Sequence, residues 1–576
     1  MEIKISDIAN RTFGWIQNPS DFSKLKKLVQ VFDHTSEVHA DLKANIIPKI
    51  VDKDDGRDRF INILNKIPLK IKYADLVGTS FIPRSKGRCN GIAQAIIKGQ
   101  GKPFTDNWTA DGYVRWAYAL GFIEYDYLED AFYISRSGFD LSRTAENSDD
   151  EKKVLIEAML TYPPAVRVLD LLSDGGHLTK FDIGKHLGFN GEPGFTSLPL
   201  EIIISSLSAA HESEKNKIRQ DWEGSSDKYA RMIAGWLSKL GLVKKEDKTF
   251  KVGDVSQVER ISHAYKITGE GLRQLRRAKG TASGARRITK HVCWEMFATK
   301  KLDRDYIRSR RAYILKSLDK TNGMITPEQI RDRLKEMGFN EDVGTIRDDI
   351  RGLINIGLNI EESTRGYALR DTINDFVIPV IKVTEVVRSD IEETKAMLRE
   401  NLKVLPHEYI ELVEIAQNPD QNRVFEMKVI ELFIKEYGFN GSHLGGSRRP
   451  DGAVFTDTFG VIVDTKAYKD GYNLPISQAD EMERYVRENK ERNEVANPNK
   501  WWSIFPETVK EYMFLFVSSF FKGNFRNHLE RISLNTGVRG GVISVEHLLL
   551  GADYIKRGVL TLDDFRNKFN NDEIEF

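Results

Sequence analysis

The sequence predicts a multidomain protein: three winged-helix modules, mainly α with small β wings, followed by a C-terminal α/β domain. The chain has 576 residues, about four times the length of a typical domain. One pattern occurs three times: an amphipathic helix is followed by a glycine and then by a short hairpin. In the last third, strands alternate with helices, as they do in α/β domains.

Three glycines mark the repeated modules. Gly121, Gly241 and Gly357 stand within RWAYALGFI, GWLSKLGLV and GLINIGLN. Glycine is favoured just beyond a helix C-terminus, because the chain turns there with a positive φ. A candidate two-stranded wing follows each glycine, so we expect three related modules of roughly a hundred residues.

Helix-turn-helix patterns precede the second and third wings. In each pattern a threonine stands where a helix N-cap belongs: Thr179 before Asp182, and Thr326 before Glu328. Three helices and a wing form the winged-helix variant of the helix-turn-helix, which commonly binds DNA. A winged helix that contacts only other proteins stays open as an alternative for each module.

These patterns predict the domain boundaries. The helical period is lost near Pro379, which indicates a linker. The expected parts are a first winged-helix DNA-recognition domain over 1–146, a second over 147–285, a third over 286–371, the linker at 372–385 and the α/β domain over 386–576. The linker would permit the last domain to be held against the others until DNA is bound.

Charge is unevenly distributed along the chain. Lys plus Arg number 86 against 85 Asp plus Glu, a net charge of +1. Residues 386–576 carry 25 basic and 31 acidic side chains, whereas the preceding residues carry 61 and 54. A cationic surplus in the first two thirds favours a nucleic-acid partner there.

Composition argues against a secreted or membrane protein. The two cysteines, Cys89 and Cys293, give neither a disulfide framework nor zinc-site spacing, which favours a reducing cytoplasm. The longest nearly apolar run, YMFLFVSSFF from Tyr512, has about half the length of a membrane-spanning helix. We therefore expect a buried strand there, and no membrane partner.

The helix expected over 225–240 carries candidate DNA contacts. Its apolar residues recur at three- and four-residue steps and predict one buried stripe: Tyr229, Met232, Ile233, Trp236, Leu237 and Leu240. Lys228 and Arg231 lie on another face, where they could donate to guanine N7 and O6, while Glu223 could accept from a cytosine amino group. The alternative is that these are solvated charges on a surface helix.

The chemistry is concentrated in SRRPDGAVFTDTFGVIVDTKAY, which contains Asp451 and the sequence Asp464-Thr465-Lys466. A period of two along the strand puts Asp464 and Lys466 on one face, and a hairpin would bring Asp451 to them. The two carboxylates, with the Thr465 backbone carbonyl, are hard oxygen ligands suited to Mg²⁺. Lys466 could orient or deprotonate the attacking water.

This arrangement is the PD-(D/E)xK pattern of restriction-endonuclease-like nucleases. Either half of the pattern is common by chance, whereas both halves with an apolar strand between them favour a nuclease. Glu426, on the preceding helix, is an ordinary surface charge or, alternatively, a carboxylate that bridges to the metal or supports its ligands.

The chain resembles the FokI-like type IIS restriction endonucleases over essentially all of its length. The matching text includes RTFGWIQNP, WEGSSDKYARMI, HLGGSRRPDGA, GVIVDTKAY and GYNLPISQADEM. The resemblance implies that Asp451, Asp464 and Lys466 hydrolyse phosphodiesters with Mg²⁺, leaving 5′-phosphate ends, in a prokaryotic cytoplasm. It also implies a short asymmetric site, similar to GGATG, with both strands cut at a fixed distance outside it.

The resemblance assigns DNA reading to the first two modules and a platform role to the third. The implied DNA-contact residues are Gln17, Asn18, Arg84, Gln100, Trp108, Gln220, Glu223, Lys228 and Arg231. Without the resemblance, Trp108, beside the expected N-cap Thr109, would be a core residue or hydrophobic staple. Gln220 departs from the family's asparagine, which leaves the identity of the recognised site open.

The resemblance further implies that the enzyme is a monomer in solution and a dimer on DNA. Asp480 and Arg484 would pair reciprocally with a second copy, or, alternatively, with each other along one helix. Glu483 departs from the family's glutamine. The interval between Asp451 and Asp464 is a few residues shorter than in the family. A protecting DNA methyltransferase would be a separate protein.

Two other functions stay open on the sequence. One is a winged-helix DNA-binding regulator whose C-terminal nuclease fold is inactive. The other is a site-specific nickase, which cuts one strand because its dimer interface fails.

Overall fold

The structure of the chain is a computed structural model. It describes residues 2–78, 87–210, 212–252, 257–282, 287–299, 303–383, 388–446 and 448–576. The first compact unit comprises Met1–Phe189, Lys228–Glu246 and Ala264–Val387, and the second comprises Asn190–Asp227, Asp247–His263 and Arg388–Phe576. Among the described residues, no helix combines the length and apolar content needed to cross a membrane.

The first module is mainly helical, and its wing is followed by one last helix. Its elements are α1 (Phe22–Gln30), α2 (Glu37–Asp41), α3 (Ile47–Ile50), α4 (Arg57–Leu64), β1 (Ile71–Lys72), α5 (Tyr73–Val77), α6 (Ile92–Ile96), α7 (Asn107–Ala119), β2 (Ile123–Asp126), β3 (Ala131–Ile134) and α8 (Arg136–Ser142). The strands form an antiparallel sheet of order β1-β3-β2. Thr109 is not the N-cap of α7, because its backbone N–H donates to the side chain of Asp106, which caps the helix.

The second module has a longer wing than the other two modules. Its elements are α9 (Asp149–Thr161), α10 (Pro163–Leu171), β4 (Leu178–Thr179), α11 (Lys180–Gly184), α12 (Leu200–Ala209), α13 (Glu212–Asp221), α14 (Ser225–Lys239), β5 (Val243–Val252), β6 (Gln257–Ile267) and α15 (Gly269–Ala278). Thr179 caps α11 and forms a capping box with Asp182. The predicted apolar stripe of α14 is confirmed, since all six of its residues are buried.

The third module repeats the pattern. Its elements are β7 (Thr289–Lys290), α16 (Arg304–Asp319), α17 (Pro327–Glu336), α18 (Val343–Asn355), β8 (Ile360–Ser363), β9 (Gly366–Leu369) and β10 (Thr372–Ile373). Thr326 caps α17, and Gln329 rather than Glu328 completes its capping box. The expected linker begins with β10, which pairs with β7, and its last residues, 384–385, lie outside the described residues.

The predicted turn glycines are confirmed. Gly121, Gly241 and Gly357 follow α7, α14 and α18 with φ of 72°, 77° and 106°. Each one allows the chain to leave its helix in the left-handed region and to enter the wing directly.

The C-terminal domain is built on one mixed sheet. Its elements are α19 (Asp390–Asn401), α20 (Leu412–Ile415), α21 (Asn422–Leu432), β11 (Asn440–His443), β12 (Gly452–Phe455), β13 (Phe459–Lys466), α22 (Ile476–Glu491), β14 (Glu511–Ser518), α23 (Phe525–Thr536), β15 (Gly540–Ser544), α24 (Val545–Lys556), α25 (Leu562–Asn567) and β16 (Asp572–Glu573). The strand order is β11-β12-β13-β14-β15-β16. The run YMFLFVSSFF contributes most of β14, a buried strand as predicted.

Strand direction changes at β13. The β11-β12 and β12-β13 pairs are antiparallel, whereas β13 pairs with β14, and β14 with β15, in parallel. The apolar core on one face of the sheet includes Met482 and Val486 of α22 and Leu529 and Ile532 of α23. Asp464 and Lys466 lie at the C-terminal end of β13.

The second unit also contains part of the second module. The buried Lys395 Nζ donates to the Gly191 carbonyl at 2.6 Å and to Glu414 at 2.8 Å. Thr196 Oγ1 donates to the Glu411 carboxylate at 2.7 Å in the interior. The segment Asn190–Asp227 thus packs on the C-terminal domain through satisfied buried polar groups.

Candidate active site and DNA-contact residues

A tight hairpin places the two aspartates opposite each other. In the β12-β13 ladder Gly452 pairs with Val463, so that Asp451, the residue before β12, lies opposite Asp464. Gly452 allows α21 to approach the hairpin closely, because a Cβ at this position would lie 2.2 Å from Ile430 Cδ1 and displace that side chain. The predicted hairpin is therefore confirmed, and α21 packs directly against it.

Thr465 holds the Asp451 carboxylate from two sides. Its backbone N–H donates to Asp451 Oδ2 at 2.7 Å and its hydroxyl donates to the same oxygen at 2.9 Å. The first residue of α21 is tied to the same strand end, since the Ala467 N–H donates to the side-chain oxygen Oδ1 of Asn422 at 3.1 Å. Asp451 is thus held in a defined orientation before any ligand is bound.

Asp464 and Lys466 lie on one face of β13, as their spacing predicts. Lys466 Nζ lies 2.7 Å from Asp464 Oδ2, and the Asp464 side chain is only 8% exposed. Burial disfavours the Lys466 ammonium, but the Asp464, Asp451 and Glu481 carboxylates outweigh this effect and raise its pKa. Lys466 is therefore an ammonium in this arrangement.

The electrostatics of the site favour a cation. Burial raises the pKa of Asp451 well above its ordinary value, and the Asp464 and Glu426 carboxylates add to this effect. Burial also raises the pKa of Asp464, although the Lys466 ammonium opposes the shift. The buried Asp464 and half-buried Asp451 carboxylates share one ammonium, so a divalent cation with a preference for oxygen ligands fits this donor set.

Two other side chains close to this centre are Glu426 and His443, which contact each other. In the part of the chain that the structure describes, no group of three or more His, Cys, Asp and Glu is arranged to hold a metal ion. Glu426 does not lie free on the helix surface: its Oε2 is 3.3 Å from His443 Nε2, and its side chain is 18% exposed.

Sequence reasoning missed three residues near this centre. Glu481 and Tyr485 lie on α22, where the Tyr485 hydroxyl is 2.9 Å from Glu481 Oε1. Tyr472 is buried, and its hydroxyl has no hydrogen-bond partner among the residues that the structure describes. The spacing of four between Glu481 and Tyr485 places them on one helix face, which was the available signal.

The candidate DNA contacts of the N-terminal arm lie beside Trp108. Gln17 is half-buried and Asn18 is exposed in the loop that precedes α1, and the Trp108 side chain on α7 is 52% exposed. With the Asn18 amide oxygen facing the indole, Trp108 Nε1 donates to it at 2.5 Å. These contacts leave the Trp108 ring on the surface rather than in the core.

One further candidate in the first module, Gln100, lies beside a polar cavity. Gln100 is exposed in a turn, and it lines a cavity of about 380 Å³ together with Lys24, Lys98 and Lys102. This cationic lining is suited to a phosphate backbone. Arg84 lies outside the described residues.

The remaining candidates lie along the second module. Gln220 is exposed on α13, and Glu223 is half-buried just before α14. On α14, Lys228 is half-buried and Arg231 is exposed, away from the apolar stripe. The structure therefore leaves all four on accessible surface.

The expected dimer residues pair with other side chains within the chain. Asp480 accepts from Arg531 of α23 at 2.5 Å, and the Asp480 side chain is 59% exposed. Arg484 donates to Glu481 at 3.1 Å. The alternative of an Asp480–Arg484 pair within α22 is therefore not what the structure has.

Models of four known domains match this chain. They are described as FokI, recognition domain, subdomain 1 (residues 11–144), FokI, recognition domain, subdomain 2 (151–283), FokI, D3 domain (297–365) and FokI, cleavage domain (388–575).

Curated relatives and solved structures agree with these matches. The chain is 54% identical to the type II restriction enzyme FokI of Planomicrobium okeanokoites, over 98% of this chain and 99% of that protein. It is 32% identical to the type II restriction enzyme StsI of Streptococcus sanguinis, over 96% and 94%. Two solved structures, restriction endonuclease FokI alone and bound to DNA, match with TM-scores of 0.93 and 0.94 at 53% identity, over 98% of this chain and 100% of each of theirs.

Proposed function

Because the chain belongs to the FokI family of type II restriction endonucleases, we propose that it binds a short asymmetric duplex site and cuts both strands at a fixed distance outside it. The observation that carries this proposal is the union of three winged-helix modules with an intact Asp451, Asp464 and Lys466 centre. The regulator alternative is disfavoured, since both curated relatives are restriction enzymes.

The family implies a divalent metal cofactor, and the ion proposed here is Mg²⁺. Asp451, Asp464 and the Thr465 backbone carbonyl would hold it. When bound, the ion supplies Lewis-acid stabilisation of the charge that develops on the scissile phosphate. The raised pKa values of both aspartates support this assignment, because they reflect buried negative charge that one ammonium does not balance.

The chain's own residues orient the reaction. Thr465 keeps Asp451 turned into the site, and Lys466 presents its Nζ beside Asp464. From there Nζ can donate to a phosphate oxygen, or hold the attacking water for in-line hydrolysis. Attack by water on phosphorus with departure of the 3′ oxygen leaves a 5′-phosphate end.

The proposed DNA contacts divide between the arm and the two reader modules. The solved FokI structure bound to DNA supports duplex binding by this chain. The proposed contact residues are Gln17, Asn18, Arg84, Gln100, Trp108, Gln220, Glu223, Lys228 and Arg231. A site similar to GGATG, with Gln220 in place of the family's asparagine, is the specificity to test by sequencing the ends of digested DNA.

The domain assignment and the partners are part of the same proposal. Domains at 1–146, 147–285 and 286–371 would precede the linker at 372–385 and a nuclease domain at 386–576. Nuclease domains of two copies would pair through Asp480 and Arg484, so that each DNA strand is cut by the catalytic centre of one copy. A separate methyltransferase would protect the host's sites, and the cytoplasm is the compartment in which we expect both proteins to act.

Substitution of Asp464 tests the proposal. We expect Asp464→Ala to abolish cleavage of plasmid DNA in Mg²⁺, because the centre then lacks half of its carboxylate charge. Asp457→Ala, at an exposed acid in the same hairpin, is the matched control and should cut normally. Cleavage by Asp464→Ala at the wild-type rate would show that the centre is assigned wrongly.

A further inference from the structure

Helix α22 has two functional faces that meet at one carboxylate. Asp480 and Arg484 lie on the face proposed to meet a second copy. Glu481 Oε1 accepts from Arg484 Nη2 at 3.1 Å and from the Tyr485 hydroxyl at 2.9 Å. Glu481 therefore joins a residue of the proposed dimer face to a residue of the domain core.

The Tyr485 hydroxyl connects this carboxylate to the catalytic hairpin. Tyr485 is 3% exposed, and its hydroxyl also lies 2.8 Å from the backbone carbonyl of Arg449. A hydroxyl has one proton, so the Glu481 carboxylate and the Arg449 carbonyl share a single donor. Arg449 precedes Pro450 and Asp451, and the contact thus fixes the segment that carries the first catalytic carboxylate.

The charge of Glu481 also reaches the second catalytic strand. Burial is the main cause of the raised pKa of Asp464, and the Glu481 carboxylate adds to it. The same carboxylate helps to stabilise the Lys466 ammonium. The hydroxyl of Tyr472, which finds no hydrogen-bond partner in the described part of the chain, experiences the negative charge of both Asp464 and Glu481. Glu481 thus belongs to the electrostatic environment of the centre.

We propose that Glu481 is a positioning residue of the nuclease centre, which orients the Arg449–Asp451 segment through the Tyr485 hydroxyl. The inference rests on the proposed function and deepens it. It also gives the dimer face a route to the centre: once Arg484 pairs with Asp480 of the partner subunit, Glu481 loses its hydrogen bond from Arg484 and accepts more strongly from the Tyr485 hydroxyl.

The test uses full-length protein, plasmid DNA and single-turnover cleavage in Mg²⁺ over a range of enzyme concentrations. Glu481→Gln keeps an acceptor for the Tyr485 hydroxyl but removes the charge. We expect its maximal rate to fall at least tenfold, with no change in the enzyme concentration that gives half of that rate. Tyr485→Phe should lower the maximal rate in the same way. Glu491→Gln, an exposed acid at the end of the same helix, is the control and should cut normally.

The outcomes separate the possible roles. A wild-type maximal rate for Glu481→Gln, or a change confined to the half-saturating concentration, overturns the positioning role. If Glu481→Gln does not fold, Tyr485→Phe decides alone, and a wild-type rate for it overturns the proposal. Cleavage by Asp464→Ala would instead defeat the proposed function, whereas an inactive Asp464→Ala beside an active Glu481→Gln defeats only this inference.

Discussion

At the scale of single residues, Thr465 has the most testable contact in the centre. We expect Thr465→Val to lower the single-turnover cleavage rate about tenfold, because Asp451 loses one of two donors to its charged oxygen. The backbone N–H and carbonyl are retained, so DNA binding should be unchanged. Thr458→Val, in the exposed turn of the same hairpin, controls for the substitution. An unchanged rate for Thr465→Val would mean that the Thr465 hydroxyl does not contribute to catalysis.

A half-buried histidine in the first unit, His291, predicts how stability depends on pH. Burial lowers the pKa of His291 to about 4. Its unfolded form binds a proton near pH 6.5, so the stabilisation is full above pH 6.5 and is lost as pH falls towards 4. Urea unfolding should show that wild type loses about 2 kcal/mol more than His291→Gln between pH 7 and pH 5. Equal losses in the two proteins would contradict this.

The centre was predictable where its chemistry is local in sequence. Asp464 and Lys466 are two residues apart, and a hairpin brings Asp451 to them, so strand periodicity sufficed. Glu481 and Tyr485 were missed because they act through a tertiary contact with Arg449, 36 residues before Tyr485. Pattern reasoning has no access to such contacts.

At the scale of elements, α14 carries the sharpest question about DNA reading. If Lys228 and Arg231 read bases, each alanine substitution should cost about 1–3 kcal/mol on the cognate site and leave non-specific binding nearly unchanged. A phosphate contact would instead weaken binding to all sequences and reduce the dependence on salt by about one ion. A salt series on cognate and scrambled duplexes measures both. If neither quantity changes, the residues are solvated surface charges.

Elements were predictable where local signals agree with packing. The stripe of α14 and the turn glycines follow from helical periodicity and from backbone sterics. The N-cap of α7 was assigned wrongly because Thr109 and Asp106 are both good caps, and only the tertiary course of the chain selects between them.

At the scale of the whole molecule, the compact units do not follow the order of the modules along the chain. The segment Asn190–Asp227 belongs to the second module in sequence, yet it shares a compact unit with the C-terminal domain. Trp222 contacts Arg423 of α21 through a cation–π interaction at 5.1 Å, beside the catalytic hairpin. No periodicity in the sequence indicates this packing, because the contact joins residues 201 positions apart.

The last prediction concerns assembly, and it separates a dimeric cutter from a nickase. Reciprocal pairing means that Asp480→Arg places like charges opposite each other in a homodimer, and Arg484→Asp does the same with the opposite sign. Each variant alone should therefore lose double-strand cleavage. An equimolar mixture should recover it, because the new arginine of one variant then meets the new aspartate of the other. Loss of the intramolecular Asp480–Arg531 pair accompanies the first variant only, so recovery in the mixture excludes misfolding as the cause.

In wild type the double-strand rate should rise with the square of enzyme concentration below saturation, since each copy supplies one centre. Glu491→Arg, an equal charge reversal at the exposed end of α22, should follow the wild-type curve. A first-order rate together with accumulation of nicked circles would instead identify a nickase. If both variants cut normally on their own, the two copies meet through another surface of the C-terminal domain.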